Sequence, residues 1–445
     1  MPHVVFVPLS GMRVREEELL ALGMALPGLQ PRARAIGQLP ALGVLTLAGL
    51  NPAHWTCSYH EAAAVDATLV EAIAAERPDL VAVSALTASA EEAYRLSGML
   101  RRVGLRTVLG GLHATACADE AGQFFDAVVV GEGEPVWPAV LADAEAGRLR
   151  PLYRAREPFA LTNAPTPRFD LLGAKPRPRY TLQTQRGCPL ACEFCGASRL
   201  LGSFREKPAA NLIRELHAIE TLSPAPLLEL ADDNTFAGHG DLTAFLQALA
   251  SSGARWFTES DWRLGERPEL CRAIADAGCV QVLVGLESLV RAPGGMGAKN
   301  ADWPRILDAI AAIQSAGVAV IGCFIAGCDG ESQDSLDRLA EFILASPLAD
   351  VQITLQTPFP GTPLYRRLRR DGRILPGRDW SFYTLFDVTY QPDLMSVAEL
   401  EAGFRRLVRA VFAPEPTRRR QALRRDIWHH NPRLRPWASA LCSAT

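Results

Sequence analysis

Short apolar runs alternate with helical periodicities over the first 150 residues. Residues 4–8, 80–84, 106–110 and 127–130 read as buried strands, and 55–59 alternates like a strand. Between them, 16–24, 42–50, 67–76, 88–103 and 136–146 carry the spacing of amphipathic helices. Near-continuous apolar strands alternating with helices predict a parallel, doubly wound α/β sheet over 1–150. Periodicity fades over 151–178, where Pro151, Pro158, Pro165, Pro167, Pro176 and Pro178 mark an interdomain linker. From 179 to 360 the alternation resumes, with strands at 180–184, 227–230, 256–259, 280–284, 318–326 and 350–355. Helices are expected at 208–221, 268–277 and 303–316. Six strands in this pattern suggest an open, partial (β/α)6 barrel. Runs at 363–371 and 396–412 make 361–445 a mainly helical C-terminal region.

Composition adds exclusions. Of 445 residues, 48% are hydrophobic and 21% charged, which suits a globular protein with ample core. A net charge of −3 gives no reason to expect a nucleic-acid partner. No basic-then-apolar leader opens the chain and no apolar run is long enough to span a bilayer, so a cytoplasmic location is expected. Arg418-Arg-Arg420 and Arg424-Arg425 make the tail basic; a solvated helix face is expected, the alternative being peripheral contact with a membrane surface or an anionic substrate.

The ten cysteines are too scattered for a disulfide framework, except for three. Cys188-Pro-Leu-Ala-Cys192-Glu-Phe-Cys195 follows the first strand of the second unit. Three thiolates on one loop can wrap a metal cluster. Structural zinc wants a fourth ligand, and the next candidates, His217 and Cys271, are distant in sequence. Three ligands on a four-iron cube leave one iron open to an outside molecule. Cys323 and Cys328 read as buried thiols.

Polar and glycine residues gather where strands stop. In the first unit these are Ser84-Ala-Leu86-Thr87, Gly110-Gly111-Leu-His113 and Gly131-Glu132-Gly133-Glu134. Glycines there let a ligand approach the backbone, and hydroxyls and N–H groups suit phosphate; the same residues also serve as turn glycines and helix caps. In the second unit the strand ends carry Asp232-Asp233-Asn234, Glu259, Glu287 and Gly327, on the face where a β/α barrel collects its active site. Each acid has an equally ordinary use as a helix cap or salt-bridge partner.

The chain resembles the cobalamin-dependent branch of the radical S-adenosylmethionine (radical SAM) superfamily. The likeness lies in the cysteine spacing, Gly285-Leu-Glu-Ser288, Phe324-Ile-Ala-Gly327, Thr357-Pro-Phe-Pro-Gly-Thr-Pro-Leu-Tyr365, and the three first-unit motifs. The resemblance implies a Rossmann-like cobalamin-binding domain, then a radical SAM core. Cys188, Cys192 and Cys195 would hold a [4Fe–4S] cluster. Phe194, Asp232 or Asp233, Glu259, Glu287, Ile325 and Gly327 would contact S-adenosylmethionine. Ser84, Leu86, Thr87, Gly110, Gly111, His113, Gly131, Glu132 and Gly133 would contact cobalamin. The loop after the first strand, Pro8-Leu-Ser-Gly-Met-Arg-Val14, lacks the D-x-H-x-x-G motif. Histidine ligation of cobalt is therefore not implied, His60 and His113 are expected as hydrogen-bonding residues, and Arg13 and Arg15 are placed toward the lower face. The implied activity is methylation of an unactivated carbon in a lipid or natural product, with electrons from a flavodoxin- or ferredoxin-like donor. The rivals are cyclisation, ring contraction or oxidation without methyl transfer, and, from another class, a non-catalytic metal-cluster scaffold.

Overall fold

Six parallel strands form each of two sheets. The computed structural model describes residues 1–437 apart from 10–13, 27–28, 30–38, 62–63, 174–176, 191, 201, 239 and 291–301; Arg13 lies outside the described residues. The first sheet contains β1 (His3–Leu9), β2 (Thr56–Tyr59), β3 (Leu80–Ala85), β4 (Thr107–Gly110), β5 (Ala127–Val130) and β6 (Leu152–Arg154), in the order β2-β1-β3-β4-β5-β6. Val5, Val7, Val81, Val83 and Val128 enter one core and Val4, Phe6, Leu80, Ala82 and Val129 another. Both faces are covered, which is why these strands read as unbroken apolar runs. The strand order reverses between β1 and β3, and the crevice beyond their carboxyl ends is where such sheets take ligands. Strand β6 lies at the start of the proline-rich stretch. Only Tyr153 of its three residues is buried, too short a pattern for periodicity to register.

The second sheet contains β7 (Tyr180–Leu182) and, beyond a short ribbon of β8 (Gln185–Arg186) and β9 (Arg205–Glu206), the strands β10 (Leu227–Leu230), β11 (Arg255–Ser260), β12 (Cys279–Glu287), β13 (Ala319–Ala326) and β14 (Asp350–Leu355). Its order, β7-β10-β11-β12-β13-β14, follows the chain. Every crossover steps the same way, as in a β/α barrel, but β7 and β14 remain edges and the wall stays open. Helices Thr243–Ser252 and Gln333–Ala345 occupy two crossovers that periodicity had left unassigned. Leu228, Trp256, Val282, Val320 and Phe324 pack with Leu216, Ile274, Ile310 and Leu339 from the helices.

The C-terminal region is helical at Pro363–Arg370, Val397–Val411 and Pro414–His430. The basic run is only partly a solvated face. Arg420 is buried, Arg424 pairs with Asp350 at 2.7 Å, and Trp428 packs with Val280 and Ala319. No helix among the described residues is long and apolar enough to cross a membrane.

Candidate functional site

The cysteine loop is the connection between β8 and β9, which pair antiparallel with Arg186 opposite Arg205. Its three half-buried cysteines line a cavity open to solvent, together with Leu190, Phe194, Asp233, Asn234, Ser260 and Asp261. Among the described residues no three His, Cys, Asp or Glu groups close on a single ion. Three thiols lining one cavity suit a cluster that takes one thiolate at each of several irons, and an all-sulfur donor set suits iron–sulfur chemistry. The residues fit the group.

The two adjacent aspartates separate in role. Asp232 is fully buried beneath the strand ends, accepting from Thr184 N–H at 2.7 Å, Gln185 N–H at 3.2 Å, Thr235 Oγ1–H at 2.8 Å and the Thr184 hydroxyl. Asp233 lines the cavity, and burial together with the neighbouring Asp232 charge pushes its carboxyl up to about 6. Asn234 donates to Asp261 at 2.8 Å. Burial alone would raise the Asp261 carboxyl, but hydrogen bonds from Arg263 and Asn234 hold it below its ordinary value. Glu259 gives its carbonyl to Thr235 N–H, and the two residues after it, Ser260 and Asp261, line the cavity. Glu287 is buried at the end of β12, where the register shifts, with φ at 65°; it does not line this cavity.

Phe194 packs on Ile325 and Cys328, an apolar wall beside the thiols. Gly327 N–H donates to Glu331 at 2.6 Å, and its carbonyl accepts from Tyr390. Glu331 also takes the Ser288 hydroxyl, tying the ends of β12 and β13 together. Burial raises its carboxyl to about 7.

On the first sheet, Ser84 and Gly110 are register partners at the ends of β3 and β4. Gly111 has φ at +103°, and a Cβ there would lie 3.0 Å from the Ala85 carbonyl, so this rim requires glycine. Leu86 is 45% exposed, while Thr87 is buried in the turn Thr87–Ser89. Gly131 N–H donates to Thr115 Oγ1 at 3.0 Å. His113 is buried, with Nε2 2.7 Å from Tyr94 Oη. Tyr94 O–H donates to the Glu120 carboxylate at 2.9 Å, so His113 Nε2–H donates to Tyr94. Burial pushes the imidazole down to about 4, and it is neutral. Trp380 lies edge-on to it and donates to Glu120 at 2.7 Å. Glu132 accepts from Arg186, Arg205 and Phe159 N–H. Burial opposes its charge, but these donors hold its carboxyl below the ordinary value. Gly133 lies against Leu47.

The two sets of strand ends meet. Helix Gly196–Leu200, directly after Cys195, packs on helix Leu112–Ala116, directly after Gly111. Gly361 sits between them; a Cβ on it would lie 2.8 Å from Leu200 and 3.3 Å from Ala116. From the other side Arg367 bridges Glu193 at 2.8 Å and Asp329 at 2.6 Å, and Arg373 completes Asp329 at 2.7 Å. The cavity residues Leu190, Ser260 and Asp261 carry no role in the sequence reading, and Asn234 appears there only at a strand end. Asn234, Ser260 and Asp261 share a position at the ends of β10 and β11, and that is the signal that finds them.

Comparison with known proteins agrees with this layout. Residues 32–141 match the B12 binding domain and residues 182–343 the radical SAM superfamily. The chain is 27% identical over 345 residues to the bacteriochlorophyllide d C-12(1)-methyltransferase of Chlorobaculum tepidum, covering 75% of each. It superposes on the cobalamin-dependent S-adenosylmethionine radical enzyme OxsB, with aqua-cobalamin and S-adenosylmethionine bound, at a TM-score of 0.68 and 15% identity, over 91% of this chain and 66% of that one. The radical S-adenosylmethionine methyltransferase TsrM from Kitasatospora setae, with cobalamin and a [4Fe–4S] cluster bound, gives 0.65 at 14% identity over 93% and 89%.

Proposed function

We propose, from the premise that the chain is a radical SAM protein with a B12 binding domain ahead of its radical SAM domain, that it is a cobalamin-dependent C-methyltransferase acting on an unactivated carbon of a lipid or natural-product intermediate. The observation that carries the reading is the junction at Gly361, which brings the cysteine loop against the rim of the first sheet. When bound, the cluster and S-adenosylmethionine supply radical chemistry, and cobalamin supplies a transferable methyl group.

The chain's own residues hold, orient and shield. Cys188, Cys192 and Cys195 are the proposed cluster ligands. Asp233, Asn234, Ser260 and Asp261 offer a polar seat across the cavity for the amino and carboxylate groups of S-adenosylmethionine, and Phe194 with Ile325 an apolar flank for its adenine. Asp232, with all its acceptors engaged inside the protein, is assigned a supporting part, as are Glu259 and Glu287. Ser84, Leu86, Gly110 and Gly111 are the proposed cobalamin rim, with Thr87, Gly131 and Gly133 shaping it and His113 supporting it as a neutral imidazole. Trp380, edge-on to His113, and Tyr383, tilted against Trp380, would shield this rim from water. We place the activity in the cytoplasm, with a flavodoxin- or ferredoxin-like electron donor.

Product counting tests the reading against cyclisation or oxidation without methyl transfer. Turnover of S-adenosylmethionine with substrate should yield 5′-deoxyadenosine and S-adenosylhomocysteine together. 5′-Deoxyadenosine alone would sink the methyl-transfer reading.

A further inference from the structure

The base of the cysteine loop depends on a residue from the other sheet. Strands β8 and β9 have two residues each, and their pairing closes residues 187–204 into a loop. That pairing sets Arg186 directly across from Arg205, with side chains only 12% and 17% exposed. Like charges facing each other on an antiparallel pair oppose the pairing, and burial removes the water that would screen them. The counter-charge lies between them. Glu132 Oε1 accepts from Arg186 at 2.6 Å and from Arg205 at 3.0 Å; Oε2 accepts from Arg205 at 2.8 Å and from Phe159 N–H at 2.7 Å. Glu134 takes the second arm of Arg186 at 2.7 Å. Both Glu132 oxygens are thus engaged inside the protein.

We infer that Glu132, carried by the first sheet, is a positioning residue for the cysteine loop of the second, supplying the charge that lets the β8–β9 ribbon close. The inference rests on reading that loop as a cluster site. Docking of the Gly131-Glu-Gly-Glu134 loop then becomes a condition for a retentive cluster site, and the two halves of the molecule mature together.

The test compares full-length wild type with Glu132→Gln, Arg205→Gln and the double variant. Each is reconstituted anaerobically with iron and sulfide, and iron loss to a chelator, hydroxocobalamin uptake and the circular-dichroism melt are followed. Glu132→Gln should lose iron about 10- to 100-fold faster while keeping cobalamin, the range seen for groups supporting metal ligands. The double variant should recover most of the retention, because removing Arg205 removes the charge that needed Glu132. Unchanged iron retention in Glu132→Gln overturns the inference, and so does a double variant no better than the single one. Loss of cobalamin with iron retained overturns it as well, making Glu132 a cofactor ligand instead. A wild-type chain that takes up no iron defeats the cluster reading itself and this inference with it.

Discussion

At the carboxyl end of β10, adjacent carboxylates face different surroundings. Asp232 is an acceptor buried among strand ends, and Asp233 looks into the thiol-lined cavity. Asp232→Ala should cost about 3 kcal/mol or more in urea unfolding, because two backbone N–H groups and two hydroxyls lose their partner. Asp233→Asn should leave the melt unchanged and weaken S-adenosylmethionine binding about ten- to a hundredfold by equilibrium dialysis. His113 supplies a pH signature. Its imidazole sits at about 4 when folded and near 6.5 when unfolded, so the unfolded chain binds more protons between those values. Stability is therefore full above about pH 6.5 and falls as pH drops toward 4. Between pH 7 and 5 the wild type should lose about 2 kcal/mol more than His113→Gln, measured by urea unfolding at each pH.

Among the elements, strand ends decide where the chemistry sits, and two glycines set how closely they approach. Gly111→Ala would add a strained backbone, costing about 1–3 kcal/mol, and a methyl group against the Ala85 carbonyl. It should weaken cobalamin uptake while iron content after reconstitution stays at the wild-type level. The strands were legible because burial on both faces leaves uninterrupted apolar runs, as in Val4–Phe6 and Val128–Val130. Helix Thr243–Ser252 escaped notice, its stretch broken by Gln247 and short of charged residues. Strand β6 escaped because an edge strand of three residues buries only Tyr153.

Over the whole molecule, the cysteine loop and the two-sheet order could be read from the chain, but the contacts joining the sheets could not. Glu132 and Arg186 lie 54 positions apart, and nothing in either motif says that they meet. The Gly-Glu-Gly-Glu motif invites a cofactor reading, and it does not announce that in the structure its two carboxylates pair with Arg186 and Arg205. Local motifs report strand ends well because each is set by neighbours in sequence. They are silent on long-range charge pairing, which only the folded arrangement fixes. The central claim is that one chain holds an iron–sulfur cluster and cobalamin at a shared junction. Metal and cofactor analysis of the anaerobically reconstituted full chain tests it most directly. The account predicts about four irons and one cobalamin per chain, with Cys188→Ala losing the iron and keeping the cobalamin. Zinc in place of iron, or no cobalamin uptake, would contradict it.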